Sequence, residues 1–457
     1  MTLSFCKSPL AQTAIISFVC LLCPGMYNAL NTIGNAGNIS NKISNIANIA
    51  IYITLTVSGI IGGSVINLMG IRWTVFSSCL TYAIYSASYI VLAYTESEIY
   101  TIVSAVALGV GAGILWSAQG MITMSYPRHD EKGRYISVFW AIFNLGGFIG
   151  GSVLFAVNYN FDMVSIVAPV PEVGYIVFVM LNIIGAVCAL FLVPSVQVVR
   201  GDGTYAVLEQ HTDAPNEAAE VLKLFKDRWA LLLLPMCFSS NFFYTYQWNG
   251  FNGVLFNSRT RGFNTMVYWV SQMTAVYAIS FLYDCKLFGR RKRGVLSLVL
   301  FAVLANVMWG CTLIIQLGYT HGQLAEKPTD YSGGLIDLTQ VRRAVGPIVL
   351  FSAMGVVDAL QQSLAFWLLG VITDDAMMLS RYAGFYKSMQ SLGAAIAWQL
   401  GALSTPLLYQ LIINWGLLNL TIPFTLYFAF NIAADFDEEL KKKKNTTVMP
   451  MNFIDLS

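Results

Sequence analysis

Apolar residues fall along this chain in runs of roughly twenty, separated by short polar breaks. The runs lie near 8–33, 45–70, 72–94, 98–125, 133–158 and 171–194, then near 229–256, 262–285, 292–318, 342–372, 381–409 and 411–433. A run of about twenty residues crosses roughly 30 Å of hydrocarbon as a helix. In lipid each backbone amide must find its partner inside the protein, so such runs predict helices. A polar stretch from Ser195 to Arg228 separates the first six runs from the second six, and a charged tail runs from Ala434 to Ser457. The pattern predicts an all-α, polytopic membrane protein of twelve transmembrane helices. Two six-helix bundles, 1–194 and 229–433, are joined by a linker, 195–228, and followed by a tail, 434–457.

Composition agrees with a lipid partner. Of 457 residues, 56% are hydrophobic and 11% charged, against about 25% charged in a soluble domain. The net charge of +2 gives no basic field for nucleic acid. Lys and Arg decide orientation. Nineteen fall in the segments that share a side with both chain ends, the Lys441 to Lys444 run among them, and six fall on the other side. Both termini are therefore expected in the cytoplasm. The N-terminal run lacks a small-residue cleavage pattern and reads as the first span. Most of the eight cysteines sit in apolar runs, where a thiol acts as a small hydrophobe. Cys20 and Cys23 form a C-x-x-C without the soluble redox context or second ligand pair that chemistry requires. Asn38-Ile-Ser40 is a glycosylation acceptor pattern on the expected outer side.

Two internal repeats support a duplicated chain. Arg134-Tyr135, Leu145-Gly146 and Ile149 of the fifth run recur 247 positions later as Arg381-Tyr382, Leu392-Gly393 and Ile396. Tyr27-Asn28-Ala29-Leu30-Asn31 of the first run recurs 221 positions later as Trp248-Asn249-Gly250-Phe251-Asn252 in the seventh. Equivalent helices of two halves are where a duplicated transporter repeats itself.

At certain segments the sequence resembles a known group. They are Cys23-Pro-Gly-Met-Tyr-Asn-Ala-Leu30, Gly109-Val-Gly-Ala-Gly-Ile-Leu-Trp116-Ser-Ala-Gln119-Gly120 and Ser125-Tyr-Pro127. Lys132-Gly-Arg-Tyr-Ile-Ser-Val-Phe-Trp140-Ala-Ile-Phe-Asn144-Leu-Gly-Gly147 and Arg381-Tyr-Ala-Gly-Phe-Tyr-Lys387-Ser-Met-Gln390 complete the set. Together they resemble the Unc-93-like branch of the major facilitator superfamily, its fungal and plant members above all. The resemblance implies the twelve-helix fold in two pseudo-symmetric bundles, with helices 1, 4, 7 and 10 lining a central cavity. Members are described as transporters, as regulatory subunits of potassium channels and as trafficking chaperones for receptors. The superfamily's loop signature, Gly-x-x-x-Asp-Arg-x-Gly-Arg-Arg, forms a charge latch in active transporters. Here only Gly70-Ile-Arg72 remains between the second and third runs. Asp284 and Gly289-Arg290-Arg291 survive, at a longer spacing, between the eighth and ninth. Asp284, Arg290 and Arg291 are the candidate gating residues.

No phosphate loop, H-E-x-x-H or G-x-S-x-G occurs, and the three histidines lie in loops. Nothing points to an enzyme, a cofactor or a metal. The candidates are polar groups inside apolar runs, which are costly in hydrocarbon and mark pathways or partners. Asn28 and Asn31 share a helical face, as do Asn249 and Asn252; the four are expected either to ring a solute or to tie helices together. Trp116 and Gln119 would add a wall and a hydrogen bond. Asp358, with Gln361 and Gln362 beside it, and Lys387 are the buried charges, expected to form an ion pair that is static or made and broken during rocking. Glycines 146, 147, 150 and 151 read as helix packing. Two functions stay open: a secondary transporter of a small solute or ion by alternating access, and a non-transporting regulatory or chaperone subunit of a channel or receptor.

Overall fold

The computed structural model describes residues 7–34, 41–95, 98–128, 131–159, 172–200, 203–205, 214–318, 335–373 and 376–447. Among them the chain is helical nearly throughout, and each of the twelve predicted runs lies on helix. The first run comprises α1 (Pro9–Cys20), a π-helical stretch Leu21–Gly25 and α2 (Met26–Gly34). The Ser8 side chain caps α1 by accepting from the Ala11 amide at 3.2 Å, and Pro9 follows at a position where its missing N–H is harmless. Pro24 sits inside the π-helical stretch, where the wider winding absorbs the hydrogen bond that proline cannot make. α3 (Asn41–Thr95) carries the second and third runs, α4 (Glu98–Ser125) the fourth, α5 (Lys132–Val157) the fifth and α6 (Glu172–Ala189) the sixth.

The linker holds a helix that the polar pattern did not announce, α7 (Ala214–Lys223). The seventh run is α8 (Arg228–Ser239), a π-helical stretch Thr245–Asn252 and the single turn α9 (Gly253–Leu255). α10 (Ser258–Tyr283), α11 (Arg290–Gln316), α12 (Val341–Ile372) and α13 (Ala376–Ala402) follow. α14 (Leu407–Thr447) continues past the last apolar run into the charged tail, whose Glu- and Lys-rich sequence favours helix.

No loop separates the second run from the third. α3 is interrupted only at Gly70, whose φ of 73° and ψ of 154° reverse the chain in one residue. Positive φ is strained for any residue with a Cβ, which is why glycine stands there. Among the described residues, seven helical stretches can cross a membrane by length and composition; one of them, Asn45–Thr95, has 51 residues, about 75 Å of helix and enough for two crossings. α10 and α13 fall outside that set. Polar residues, among them Asn264, Gln272, Lys387 and Gln390, interrupt their apolar runs, and all four are buried.

Small residues bring the two halves of the chain together along α5 and α3. Gly146 and Gly150 of α5 face the first run: a Cβ on Gly146 would lie 2.6 Å from the Gly25 Cα, and one on Gly150 2.5 Å from the Ala29 Cβ. Gly147 and Gly151, on the neighbouring stripe, face α10 of the other half; a Cβ on Gly151 would lie 2.8 Å from the Met266 nitrogen. On α3, Gly59 meets Gly384 of α13, where a Cβ on Gly384 would lie 2.5 Å from the Gly59 carbonyl oxygen. Close backbone approach of this kind is how helices associate where lipid removes the hydrophobic incentive.

The linker, the start of α5 and the start of α13 share one end of the molecule, here called the linker face. At the opposite, far face, the segment before α12 is clasped to the start of α10. Asp337 Oδ2 accepts from Asn257 Nδ2 at 2.5 Å and from Arg259 Nη2 at 2.7 Å, while its Oδ1 accepts from the Thr339 amide and hydroxyl. Arg259 also donates to the Tyr159 carbonyl at the end of α5, which ties the two halves at this face. Burial of Asp337 would raise its pKa, but the donors from Thr339, Arg259 and Asn257 outweigh it and hold the carboxyl well below the ordinary carboxylate range.

A folded-state pKa below the unfolded value stabilises above the unfolded value of about 3.9 and loses that contribution as pH falls through the folded one. Asp337→Asn should therefore lower the thermal stability of the purified protein at pH 7, and the gap to the parent should narrow only below about pH 4. A gap that does not change with pH would show that the carboxylate's charge is not what holds the clasp.

Candidate functional site

A cavity of about 80 Å³ lies between the halves. The amino-terminal half contributes Tyr27, Asn28, Tyr52, Trp116 and Trp140 to its wall, and the carboxy-terminal half Asn241, Tyr244, Trp269, Gln362, Lys387 and Gln390. Trp140 and Lys387, equivalent positions of the 247-residue repeat, both face it. A second cavity, about 680 Å³, lies toward the far face, lined by Asn45, Asn249, Arg261 and Gln399. The two are stacked along α3, the seventh run and α13. Tyr52 lies at the boundary, with Trp398 against its hydroxyl.

Asp358, at the middle of α12, is fully buried and takes four donors. Its Oδ2 accepts from the Tyr244 and Tyr268 hydroxyls, both at 2.9 Å, and from Gln272 Nε2 at 2.5 Å; its Oδ1 accepts from Gln362 Nε2 at 2.6 Å. Three donors converge on Oδ2 and one reaches Oδ1, and the single Tyr268 hydroxyl hydrogen is shared with Gln247 Oε1, also at 2.9 Å. Gln272 Oε1 in turn accepts from Asn144 Nδ2 of α5 at 3.0 Å, so the network reaches the other half of the chain. The glycines of α5 that face α10 let these two amides meet.

The predicted ion pair is not formed. Lys387 does not contact Asp358; two amides stand between them. Lys387 Nζ donates to Gln390 Oε1 at 2.8 Å, Gln390 Nε2 lies 3.1 Å from Gln362 Oε1, and Gln362 Nε2 donates to Asp358. Gln390 Nε2 is also within 3.0 Å of the oxygens of Ser240, Asn241 and Tyr386, four acceptors for two hydrogens. The Lys387 ammonium stands 4.0 Å from the centre of the Trp116 ring, with the Tyr386 ring at 5.3 Å. Aromatic faces of this kind attract a desolvated cation.

The amides disperse. Asn28 lines the central cavity, Asn249 lines the far-face cavity, and Asn252 is buried and accepts from Asn264 Nδ2 at 2.9 Å. The expectation that Asn249 and Asn252 share a face assumed α-helix. The seventh run is π-helical there, and the wider winding turns residues three apart onto different sides. The side chain of Asn31 and the whole of Asn38 lie outside the described residues. Gln119 is buried away from the cavity, donating to the Thr123 hydroxyl, and Gln361 donates to Ser239. Trp116 lines the cavity, packed edge-on against Phe139 and Phe143.

At the linker face the halves are in contact. Asp284, the C-cap of α10, accepts from the backbone amides of Gly133 and Arg134 at 2.8 and 2.7 Å, so a carboxylate of one half caps the first turn of α5 in the other. Gly133 is required by this approach, since a Cβ there would lie 2.7 Å from the carboxylate. Lys132 Nζ reaches the Gly370 carbonyl near the end of α12. Arg290 opens α11, and Arg291 lies over the Phe430 ring of α14. At the equivalent start of α13, Arg381 faces Glu220 of the linker helix at 3.6 Å, and Tyr382 donates to Asp227 at 3.2 Å. A hydrogen bond from Lys223 holds the Glu220 carboxyl below its ordinary pKa.

Among the described residues no group of three or more His, Cys, Asp or Glu is arranged to hold a metal ion. The residues that sequence reading missed are Asn144, Tyr244, Tyr268, Gln272 and Gln390. Their signal was present: Tyr268 with Gln272, and Lys387 with Gln390, recur at helical spacing inside otherwise apolar runs.

The family model for the ion channel regulatory protein UNC-93 matches residues 35–414. The chain is 41% identical to UNC93-like protein 1 of Arabidopsis thaliana over 438 residues, 96% of this chain and 94% of that one. It is 39% identical to a UNC93-like protein of Schizosaccharomyces pombe, over 90% of this chain and 80% of the relative. Among solved structures, the major facilitator transporter FucP in its outward conformation superposes with a TM-score of 0.61 at 12% identity, covering 92% of this chain and 98% of that one. The proton:xylose symporter XylE gives 0.58 at 14% identity, over 93% and 96%. At such identities the likeness is one of fold, and the fold is that of the major facilitators.

Gln272→Leu removes a donor from Asp358 and the acceptor of Asn144 at once. Each buried polar group left unpaired costs about 1–3 kcal/mol, so the thermal unfolding midpoint should fall by several degrees. Adding Asn144→Leu should recover part of the loss, because the two share one hydrogen bond. Strictly additive losses would show that the two amides do not act together.

Proposed function

The chain belongs to the UNC-93 family, and from that premise we propose that it is a secondary transporter moving a small solute by alternating access. The observation that carries this reading is the central cavity: both halves wall it, it holds a buried cation joined through two amides to a buried carboxylate, and a larger cavity lies beyond it toward one face. In this reading residues 1–194 and 229–433 are the two rocking bundles, the linker face with both termini is cytoplasmic, and the far face is outer. The contacts of Asp284, Lys132 and Glu220 then seal the inner side, as expected of an outward-facing state. Asn28, Trp116, Gln362 and Lys387 contact the solute, Asp358 positions Gln362, and Asn249 with Arg261 lies on the entry path.

In this reading the gate is built around Asp284, with Arg290 and Arg291 at the start of α11 beside it in sequence. The eroded signature between the second and third runs leaves α13 without a loop carboxylate, and Glu220 of the linker helix supplies one instead. A second reading, an accessory subunit of an ion channel, is favoured by the description of the family model and by that missing signature. The two readings separate when purified protein is screened by thermal shift against a solute library. Stabilisation by a solute, lost in Gln362→Ala, supports transport. No stabilisation, with a channel subunit co-purifying in fixed stoichiometry, would overturn it in favour of the accessory role.

The gate has its own test. Asp284→Ala removes two charge-assisted hydrogen bonds, each worth about 1.5–3 kcal/mol, from the closed linker face. Ala383, whose Cβ would lie 2.6 Å from a Cβ on Gly120 across that face, reports opening when replaced by cysteine. Alkylation at Ala383→Cys, followed by mass spectrometry, should be at least tenfold faster in the Asp284→Ala background. An unchanged rate would remove Asp284 from the gate.

A further inference from the structure

We infer that the central site takes a small organic anion, a monocarboxylate on a compact apolar or aromatic body, with its acid group on Lys387. The inference rests on the transporter reading and names its substrate class.

The argument starts from which charge in the cavity is left wanting. Asp358 is hydrogen-bonded on both oxygens, by Tyr244, Tyr268, Gln272 and Gln362, and does not line the cavity. Lys387 does line it. Among the described residues its ammonium has one acceptor, Gln390 Oε1, for three N–H groups, and otherwise rests on the Trp116 ring. An ammonium in hydrocarbon with two unused donors is costly, and an entering carboxylate would supply the acceptors. Neither cavity wall includes an Asp or Glu among the described residues, and the charged residue of the outer one, Arg261, is also a cation. A path whose exposed charges are all positive concentrates anions and repels cations.

The body of the ligand follows from the rest of the wall. Trp116, Trp140, Trp269 and Tyr27 share the cavity wall with the ammonium, surfaces suited to a ring or short hydrocarbon. One cation matches one negative charge; a hydrated divalent anion such as phosphate would enter with a second charge that no cavity-lining group meets. The volume of about 80 Å³ limits the solute to a compact body, about one ring beyond the acid group.

The test uses the full-length purified protein and matched pairs that differ only in charge: acetate, butyrate and benzoate against acetamide, butyramide and benzamide, with inorganic phosphate as a separate arm. The acids should stabilise the protein and their amides should not. Lys387→Met should weaken acid binding at least tenfold, and Lys387→Arg should keep most of it. Amides binding as well as acids, or Lys387→Met binding undiminished, overturns the proposal, as does phosphate binding more tightly than every carboxylate. If Lys387→Met does not fold, the acid-against-amide comparison in the parent decides. Uptake into proteoliposomes separates the two levels: acid bound through Lys387 but never transported leaves the anion site standing and removes the transporter reading. Uptake of an uncharged solute with no response to any acid does the reverse.

Discussion

A carboxylate in the middle of a helix bundle must be met by donors from its own protein, because lipid offers none. Asp358 is met by four, and the residues that meet it pull in the helices around them: Tyr244 from the seventh run, Tyr268 and Gln272 from α10, and Gln362 from its own helix. Two of these partners pass the constraint onward. Gln272 takes a hydrogen from Asn144 across the boundary between the halves, and Gln362 lies against Gln390, which holds Lys387. The satisfaction of one buried acid therefore sets the shape of the cavity wall and part of the joint between the halves.

That joint is built differently at its two ends. Near the middle it is glycine against backbone, at Gly59 with Gly384 and along α5, with the Asn144–Gln272 hydrogen bond among these contacts. At the linker face it is directional: a carboxylate on the bare amides of a helix start. The starts of α5 and α13 are repeat partners, yet Asp284 caps one directly while the other meets an acid carried on the linker helix. Duplication supplied two equivalent helix starts, and the chain secures them by unlike means.

Much of this was legible from residue patterns, and the failures share a cause. Helical runs could be read because lipid dictates their length and backbone pairing. Asp358 and Lys387 stood out because a charge in such a run is rare. Their relation could not be read: opposite charges suggest direct contact, whereas the fold interposes Gln362 and Gln390, residues whose individual signal is weak. Asn249 and Asn252 were misplaced because sequence periodicity presumes α winding, and the π-helical stretch depends on tertiary packing. Gly70-Ile-Arg72 read as the remnant of a loop, but the turn it makes needs one residue only. The linker helix α7 hid in a polar segment whose apolar positions, Val221 and Leu224, are few but buried.

The π-helical stretches occur in the first and seventh runs, the pair that the shorter repeat relates. A π turn contains an extra residue compared with the α turn it replaces. Were such a turn to tighten, everything on one side of it would rotate by about 100° around the helix axis. Asn28 lies beyond one of these stretches and Asn249 within the other, so the side chains that line the two cavities are set by local winding as well as by helix tilt. A helix that turns about its own axis in this way would change which side chains a cavity is lined with, without any hinge.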